Sequence, residues 1–132
     1  MKNIIISLTI MLCTVSAFAE REILNNECRR DYIETNFGGG PYFMCNPPSA
    51  SNVYRHTMYV DRDFERLDID EHYKDGTYKT TSFKNMLDGG YCTKRVQKRD
   101  SYGIAHVIEA RHEVSCAMMR SAYQGFLNLY GL

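Results

Sequence analysis

Four stretches of the chain alternate between apolar and polar residues, the pattern typical of β-strands. Residues 53–60 are rich in β-branched and aromatic residues, and residues 77–83 resemble them. Residues 91–98 place Cys92, Lys94, Val96 and Lys98 on one strand face. Turn signals separate the stretches at Asp75-Gly76, at Asp88-Gly89-Gly90 and at residues 99–103. The pattern therefore predicts an antiparallel sheet.

The fourth stretch, residues 104–116, fits two structures. Its alternation puts Ile104, Ile108 and Val114 on one side of a strand, whereas Glu109-Ala110-Arg111 also suits a helix. We interpret it as a strand. Residues 61–75 are acidic and polar, and no element is predicted there.

Helical spacing is found at both ends of the remaining chain. Residues 21–35 place Ile23, Leu24, Cys28, Tyr32 and Ile33 as in a short amphipathic helix, which Gly38-Gly39-Gly40-Pro41 ends. Ser115 is placed to cap a last helix with an apolar stripe of Met118, Ala122, Phe126 and Leu129. The predicted fold class is α+β: a small antiparallel sheet packed with an N-terminal helix, plus a C-terminal helix.

The first 19 residues have the three parts of a secretory signal peptide. Lys2 is the charged part, Ile4 to Val15 the apolar part, and Ala17-Phe18-Ala19 the cleavage site. The apolar run is about a dozen residues, against roughly 20 needed to span a bilayer, so we expect secretion and no membrane partner. A lipoprotein, with lipid on Cys13, is disfavoured because Leu12 stands where that motif needs a small residue. The expected organisation is a signal peptide at 1–19, a domain at 20–116 and a C-terminal helical extension at 117–132.

Four cysteines follow the signal peptide, at positions 28, 45, 92 and 116. An even number in an exported chain predicts two disulfides, with three pairings open. Zinc is the rival use, but no two of these cysteines form a C-x-x-C pair. We expect no metal and no cofactor.

Charge is balanced over the whole chain and uneven along it. Basic and acidic residues number 16 each, and removal of Lys2 with the signal leaves one fewer basic residue. An acidic block lies at 61–71 and a basic block at 94–99, which are taken as solvated faces of one domain. Bulk charge therefore argues neither for nor against nucleic acid as a partner.

Candidate chemistry starts from four histidines, at 56, 72, 106 and 112. His106, Glu109 and His112 suggest a metal cluster, but strand alternation points Glu109 away from the histidines. A ribonuclease that uses the ribose 2′-hydroxyl needs an acid, a base and a cation at the phosphate. His56 is a candidate acid or base, and Arg95 a candidate phosphate clamp.

The order of short motifs adds to this interpretation. The chain runs Asn52-Val53-Tyr54-Arg55-His56, Gly89-Gly90, Lys94-Arg95-Val96, Ala105-His106-Val107-Ile108 and Val114-Ser115-Cys116. This succession resembles the small secreted guanyl-preferring ribonucleases of fungi and the ribonuclease-like haustorial effectors of powdery mildews. Phe43-Met44-Cys45 is similar to the aromatic-x-Cys motif of those effectors. The resemblance implies a ribonuclease-like fold, with Cys45 paired to Cys116 and Cys28 to Cys92.

The departures from the family concern catalysis. The strand at 77–83 has no glutamate where the family places its base, and Ala110 stands where its second catalytic histidine is expected. His56 and Arg95 are then vestigial, and the resemblance implies a protein without ribonuclease activity.

These expectations lead to one main functional hypothesis and two alternatives. The main hypothesis is a secreted, monomeric virulence effector of a plant-pathogenic fungus, which enters host cells or acts outside them. It would bind a host protein, such as a plant immune receptor or defence protein, or bind RNA through Lys94, Arg95, Lys98 and Arg99. The alternatives are an active secreted ribonuclease and a bacterial periplasmic inhibitor or immunity protein.

Overall fold

In the part of the chain that the structure describes, eight antiparallel strands follow one another, each hydrogen-bonded to the next, so that sheet order equals chain order. The computed structural model describes residues 21–35 and 38–132, and the predicted signal peptide lies outside them. One helix follows the last strand. The elements are β1 Glu22–Ile23, β2 Cys28–Thr35, β3 Gly38–Cys45, β4 Val53–Val60, β5 Arg66–Tyr73, β6 Tyr78–Met86, β7 Tyr91–Arg99, β8 Ala105–Val114 and α1 Cys116–Leu129.

The helix predicted over residues 21–35 is wrong, because these residues form β1 and β2. Cys28 lies directly opposite Cys45 in the β2–β3 register, and the two are joined by a disulfide. Pairing along the whole of β2 outweighs the local helical spacing. Within the described residues no helix precedes the sheet, so the predicted fold class is replaced by an eight-stranded antiparallel sheet with one C-terminal helix.

The ribonuclease-like fold is contradicted by the same topology. The resemblance to the ribonuclease-like proteins implies that the strands at 53–60 and 91–98 are neighbours in one sheet, but β5 and β6 lie between them. The disulfides are Cys28–Cys45 and Cys92–Cys116, so the pairing implied by the resemblance is also wrong. Two disulfides, as the cysteine count predicted, are present.

Two strands come from segments that the sequence pattern did not predict. β3 contains the Gly-Gly-Gly-Pro segment, and at Gly40 an added Cβ would lie 1.8 Å from the carbonyl oxygen of Val60. Only glycine permits this close approach of β4 to β3. β5 lies within the acidic stretch, where Leu67 and Ile69 alternate with Asp68 and Asp70.

Strands β4, β6, β7 and β8 lie where the alternation predicted them. Turns are present at the residues that the turn signals indicated. The amide of Gly76, whose φ is +88°, donates to the carbonyl of Tyr73, and the Asp75 carboxylate accepts from the amide of Thr77 at 2.9 Å. Gly90 and Gly103 have positive φ in the next two turns. Most of residues 104–116 form β8, which ends at Val114, and the helix begins only at Cys116.

Helix α1 begins as predicted, and its predicted apolar stripe faces the sheet in part, since Phe126 is in the core and Ala122 packs against it. The Ser115 hydroxyl accepts a hydrogen bond from the amide of Met118, which caps the helix. Met119 and Phe126 are buried, whereas Met118 and Leu129 of the predicted stripe are exposed. The Cys92–Cys116 disulfide ties the start of the helix to β7.

The sheet has one face covered by α1 and one that the helix does not cover. Cross-strand pairs share a face, so the register assigns each residue to one of them. The core lies between α1 and the covered face, and its largest members are Phe43, Met58, Leu67, Phe83, Met119 and Phe126. The uncovered face carries polar side chains, including the buried Thr57 and Ser82.

Candidate functional site

His56, a candidate catalytic residue, lies on the covered face beneath the end of α1. Its Nδ1 is 2.9 Å from the Tyr130 hydroxyl oxygen. Its ring packs edge-on against the ring of Phe126, with 4.7 Å between the ring centroids. Burial lowers the pKa of His56, and the carboxylate of Glu71 only partly opposes this. His56 is therefore a neutral packing residue at neutral pH.

The polar groups around His56 interact with one another. Glu71 lies directly opposite His56, accepts from the Tyr73 hydroxyl at 2.8 Å, and is 3.8 Å from the ammonium of Lys79. Burial raises the pKa of Tyr73 and of Tyr130 to about 12. The cluster orders the end of the helix and offers no phenol that ionises at neutral pH.

Arg95, the candidate phosphate clamp, lies on the uncovered face. In the register of the sheet, Arg95 lies opposite Ser82, and Ser82 lies opposite Asp68. His56 belongs to a different cross-strand row, because it lies opposite Glu71, which lies opposite Lys79. The sheet separates the two vestigial candidates. The structure therefore does not bring together the acid or base and the cation that cleavage of RNA would need.

The basic block at 94–99 is divided in the same way. Lys94 and Lys98 are on the covered face, and Arg95 and Arg99 are on the uncovered face. Lys94 is 3.3 Å from Glu109, Lys98 lies 5.6 Å from the ring centroid of Tyr73, and Arg99 donates to the carbonyl of Gly103 at 2.8 Å. The four cations proposed to bind RNA do not form one surface.

Glu109 and His112 are closer than strand alternation predicts. Two register shifts in the β7–β8 ladder break the alternation, and the Glu109 carboxylate is 3.1 Å from Nε2 of His112. The contact with His112 contributes most to lowering the pKa of Glu109, and Lys94 adds to it. Within residues 21–35 and 38–132, no three His, Cys, Asp or Glu side chains form a group that could hold a metal ion.

The sequence pattern did not predict a polar network that lies on the uncovered face. The Arg111 guanidinium donates to the hydroxyls of Thr93 at 2.8 Å and Ser82 at 3.2 Å, and Arg66 is 2.8 Å from Asp68. One oxygen each of Asp68 and Asp70 is buried without a hydrogen-bond partner among the described residues. Burial raises the pKa of Asp70, and a hydrogen bond from Thr80 partly opposes this. The alternation of Leu67 and Ile69 with these aspartates is the sequence feature that could have predicted a strand here, with the aspartates on its polar face.

The turn between β7 and β8 is fixed by Asp100. Its Oδ1 accepts hydrogen bonds from the amides of Tyr102 and Ile104, both at 2.9 Å, and its Oδ2 is 3.2 Å from Nε2 of His106. These bonds, the one from Ile104 first, lower the pKa of Asp100. The turn therefore holds the residues that follow Asp100 in one conformation.

The residues that follow Asp100 include several large apolar side chains that are exposed to solvent. Tyr102 is 90% exposed, Ile104 58%, Val107 61% and Ile108 58%. We call these four residues the hairpin patch. Within the described strands β8 pairs with β7 alone, so the patch lies on an edge of the sheet. The sequence pattern does not predict the hairpin patch, because alternation predicts a strand without showing whether a neighbouring element covers it.

A second, smaller exposed apolar group lies at the β6–β7 turn, formed by Met86, Leu87 and Tyr91. Among the described residues, no helix is long and apolar enough to cross a membrane.

Comparison of the chain with protein families, with curated proteins and with solved structures finds no match. Membership of the ribonuclease-like effector family thus stays a prediction from short motifs, and the site is described by its geometry alone.

Proposed function

We propose that this protein is exported and acts by binding a partner protein through the hairpin patch. The observation that supports this is the run of four large apolar side chains within seven residues, each more than half exposed. Single exposed apolar residues are normal on soluble proteins, whereas a concentrated run marks an interaction surface.

The hairpin patch has the chemistry of a protein interface. Tyrosine is enriched among the residues that contribute most binding energy, and Tyr102 lies at the tip of the turn. His106, Asp100 and Arg99 supply polar groups beside it. Because Asp100 already fixes the turn, little conformational entropy is lost when a partner binds.

Side chains, rather than an added strand, make this contact. The two register shifts in the β7–β8 ladder place extra residues in β8, between Val107 and His112. Such bulges disturb the outward row of backbone groups that a partner strand would need. A partner with an apolar pocket fits this hairpin better than one with a free strand.

Export is supported by the signal-like composition of residues 1–19 and by the two disulfides, which suit an oxidising compartment. A secreted virulence effector that binds a host protein and a bacterial inhibitor or immunity protein are both proteins of this kind. The patch would serve either, and the role in virulence and the source stay predictions. An active ribonuclease is disfavoured because His56 and Arg95 lie on opposite faces.

Site-specific photo-crosslinking tests the proposal. A benzophenone amino acid replaces Tyr102 in one sample and Tyr54, an exposed tyrosine of β4, in the control. Each is irradiated in the extracellular fluid of the source. We expect one protein adduct at position 102 that is absent at position 54. Equal adducts at both positions, an adduct with RNA, or an adduct with a second copy of this chain would each overturn the proposal.

A further inference from the structure

Two arginines of the uncovered face, Arg95 and Arg111, lie side by side; we call them the arginine pair. Arg111 extends across β7 from β8, and its two terminal nitrogens donate to the hydroxyls of Thr93 on β7 and Ser82 on β6. Arg95 lies directly opposite Ser82 and shares a face of β7 with Thr93, two residues away. The contact with Ser82 therefore places the Arg111 guanidinium beside Arg95.

The arginine pair has no anionic partner in the described part of the chain. Within residues 21–35 and 38–132, no carboxylate forms an ion pair with Arg95 or Arg111, and the acceptors of Arg111 are two neutral hydroxyls. Burial, and after it the charge of Arg95, lowers the pKa of Arg111, and Asp68 opposes this only in part. Two like charges are thus held together where both residues are partly buried, a cost that a bound anion would offset.

The acidic residues of the uncovered face do not neutralise the arginine pair. Asp68 is 2.8 Å from Arg66, which neutralises it. Asp70 belongs to the next cross-strand row and accepts a hydrogen bond from a threonine. Glu113 and Lys84 are exposed, have opposite charges, and lie in one cross-strand row on either side of Thr93. The double positive charge of the arginine pair remains.

A phosphate monoester has the chemistry that this arrangement requires. A guanidinium presents five N–H donors in a fixed fork, and Arg111 uses two of its nitrogens for one hydroxyl each. Near neutral pH a phosphate monoester carries a charge of about −1.5 to −2 and three acceptor oxygens, so it can bridge two guanidinium groups. A carboxylate, with two oxygens and one charge, satisfies a single fork.

An apolar side chain lies close to the arginine pair on the same face. Val107 is directly opposite Gln97, which follows Arg95 by two residues, and Val107 is 61% exposed. It offers a contact for the organic group of an ester, which the free phosphate ion lacks.

We infer that the uncovered face binds a phosphate monoester at the arginine pair. The phosphate oxygens accept hydrogen bonds from Arg95 and from the N–H groups of Arg111 that do not bond to hydroxyls, and the organic group lies towards Val107. Binding here does not require the protein partner proposed for the hairpin patch, because the arginine pair supplies the charge.

Titration with phenyl phosphate tests the site, with the side-chain Nε–Hε signals of the arginines followed by nuclear magnetic resonance. Phenyl sulfate has a similar shape and one charge, and inorganic phosphate lacks the organic group. At pH 7 we expect phenyl phosphate to bind at least about tenfold more tightly than either and to shift the signals of Arg95 and Arg111.

Each probe has a result that contradicts the inferred ligand. Phenyl sulfate that binds as tightly as phenyl phosphate would overturn the need for a double charge. Inorganic phosphate that binds as tightly would overturn the assignment to an ester. Absence of binding, or shifts that leave the signals of both arginines unchanged, would overturn the site.

Substitution of Arg95 separates binding at the arginine pair from general attraction to a basic surface. Arg95→Gln removes no ion pair within the described residues, so the melting temperature should not fall, while the affinity for phenyl phosphate should drop at least about tenfold. Arg29→Gln is the matched control, because Arg29 is an exposed cation of the same face, opposite Met44, and should leave the affinity unchanged. If Arg95→Gln folds and binds phenyl phosphate as the wild type does, the site is wrong.

Discussion

The two faces of the sheet differ in what holds them together. The face under α1 buries Met58, Leu67 and Phe83 against Met119 and Phe126 of the helix. The uncovered face holds charged and hydroxyl side chains that bond to one another, as Arg111 does to Thr93 and Ser82. Fold stability therefore comes mainly from the covered face, because burial of apolar area contributes more free energy than partly exposed polar pairs do.

The comparison also bears on function. Exposed apolar side chains are concentrated at the hairpin patch, where Tyr102, Ile104, Val107 and Ile108 are not part of the core. Residues whose apolar surface is not used for folding are available for binding.

The largest effect is expected from Phe83→Ala on the covered face. Phe83 is almost fully buried in the core, so its truncation should lower the free energy of unfolding by about 3–5 kcal/mol. The neighbouring Ser82→Ala, on the uncovered face, removes one hydrogen-bond acceptor of Arg111 and should cost about 1 kcal/mol. Urea unfolding measures both. Equal losses would contradict the difference between the faces.

Loss of the disulfide that anchors α1 should come next in size. Cys92→Ala combined with Cys116→Ala releases a loop of 24 residues and should lower the free energy of unfolding by about 2–4 kcal/mol. In the double variant the helix amides should lose protection from hydrogen exchange, while the amides of β4 and β5 should keep theirs. Unchanged urea stability in the double variant would show that the disulfide does not secure the helix.

A smaller effect of opposite sign is expected from Asp70→Asn on the uncovered face. Burial raises the pKa of Asp70, so the folded state binds a proton more tightly than the unfolded state, whose pKa is near 3.8. Stability from this group is present below pH 3.8 and is lost as pH rises through the folded pKa. The variant should therefore be more stable than wild type at pH 7, by about 1 kcal/mol, because the neutral amide carries no charge that burial disfavours.

Unfolding at pH 3 is the control for Asp70→Asn, since Asp70 is protonated there in both states and the advantage should vanish. An equal gain in the free energy of unfolding at pH 3 and pH 7 would mean that the ionisation of Asp70 does not affect stability.

Local patterns predicted β4, β6, β7 and β8 because each alternates and is bounded by turn residues such as Asp75-Gly76. They failed at β3, where Gly40 serves a contact with Val60 that only the assembled sheet creates. They failed at residues 21–35 because a few apolar residues fit helical and strand spacing alike, and the pairing of Cys28 with Cys45 decides between them.

The candidate site was harder to predict than the strands. Whether His56 and Arg95 share a face depends on the register of three successive ladders, and a shift of one residue in any of them reverses the answer. The exposure of Val107 depends on β8 being an edge, which no local pattern reports.

The affinity of the protein partner for hairpin variants shows whether this protein binds through the hairpin patch. The partner recovered by crosslinking at position 102 is titrated by surface plasmon resonance against wild type and against Tyr102→Ser with Val107→Lys, which should fold normally because both positions are exposed. Leu87→Lys, at the β6–β7 turn, is the matched control. We predict a loss of affinity of at least about 30-fold for the double variant, roughly 2 kcal/mol, and none for Leu87→Lys. Unchanged affinity in the folded double variant would contradict binding through the hairpin patch.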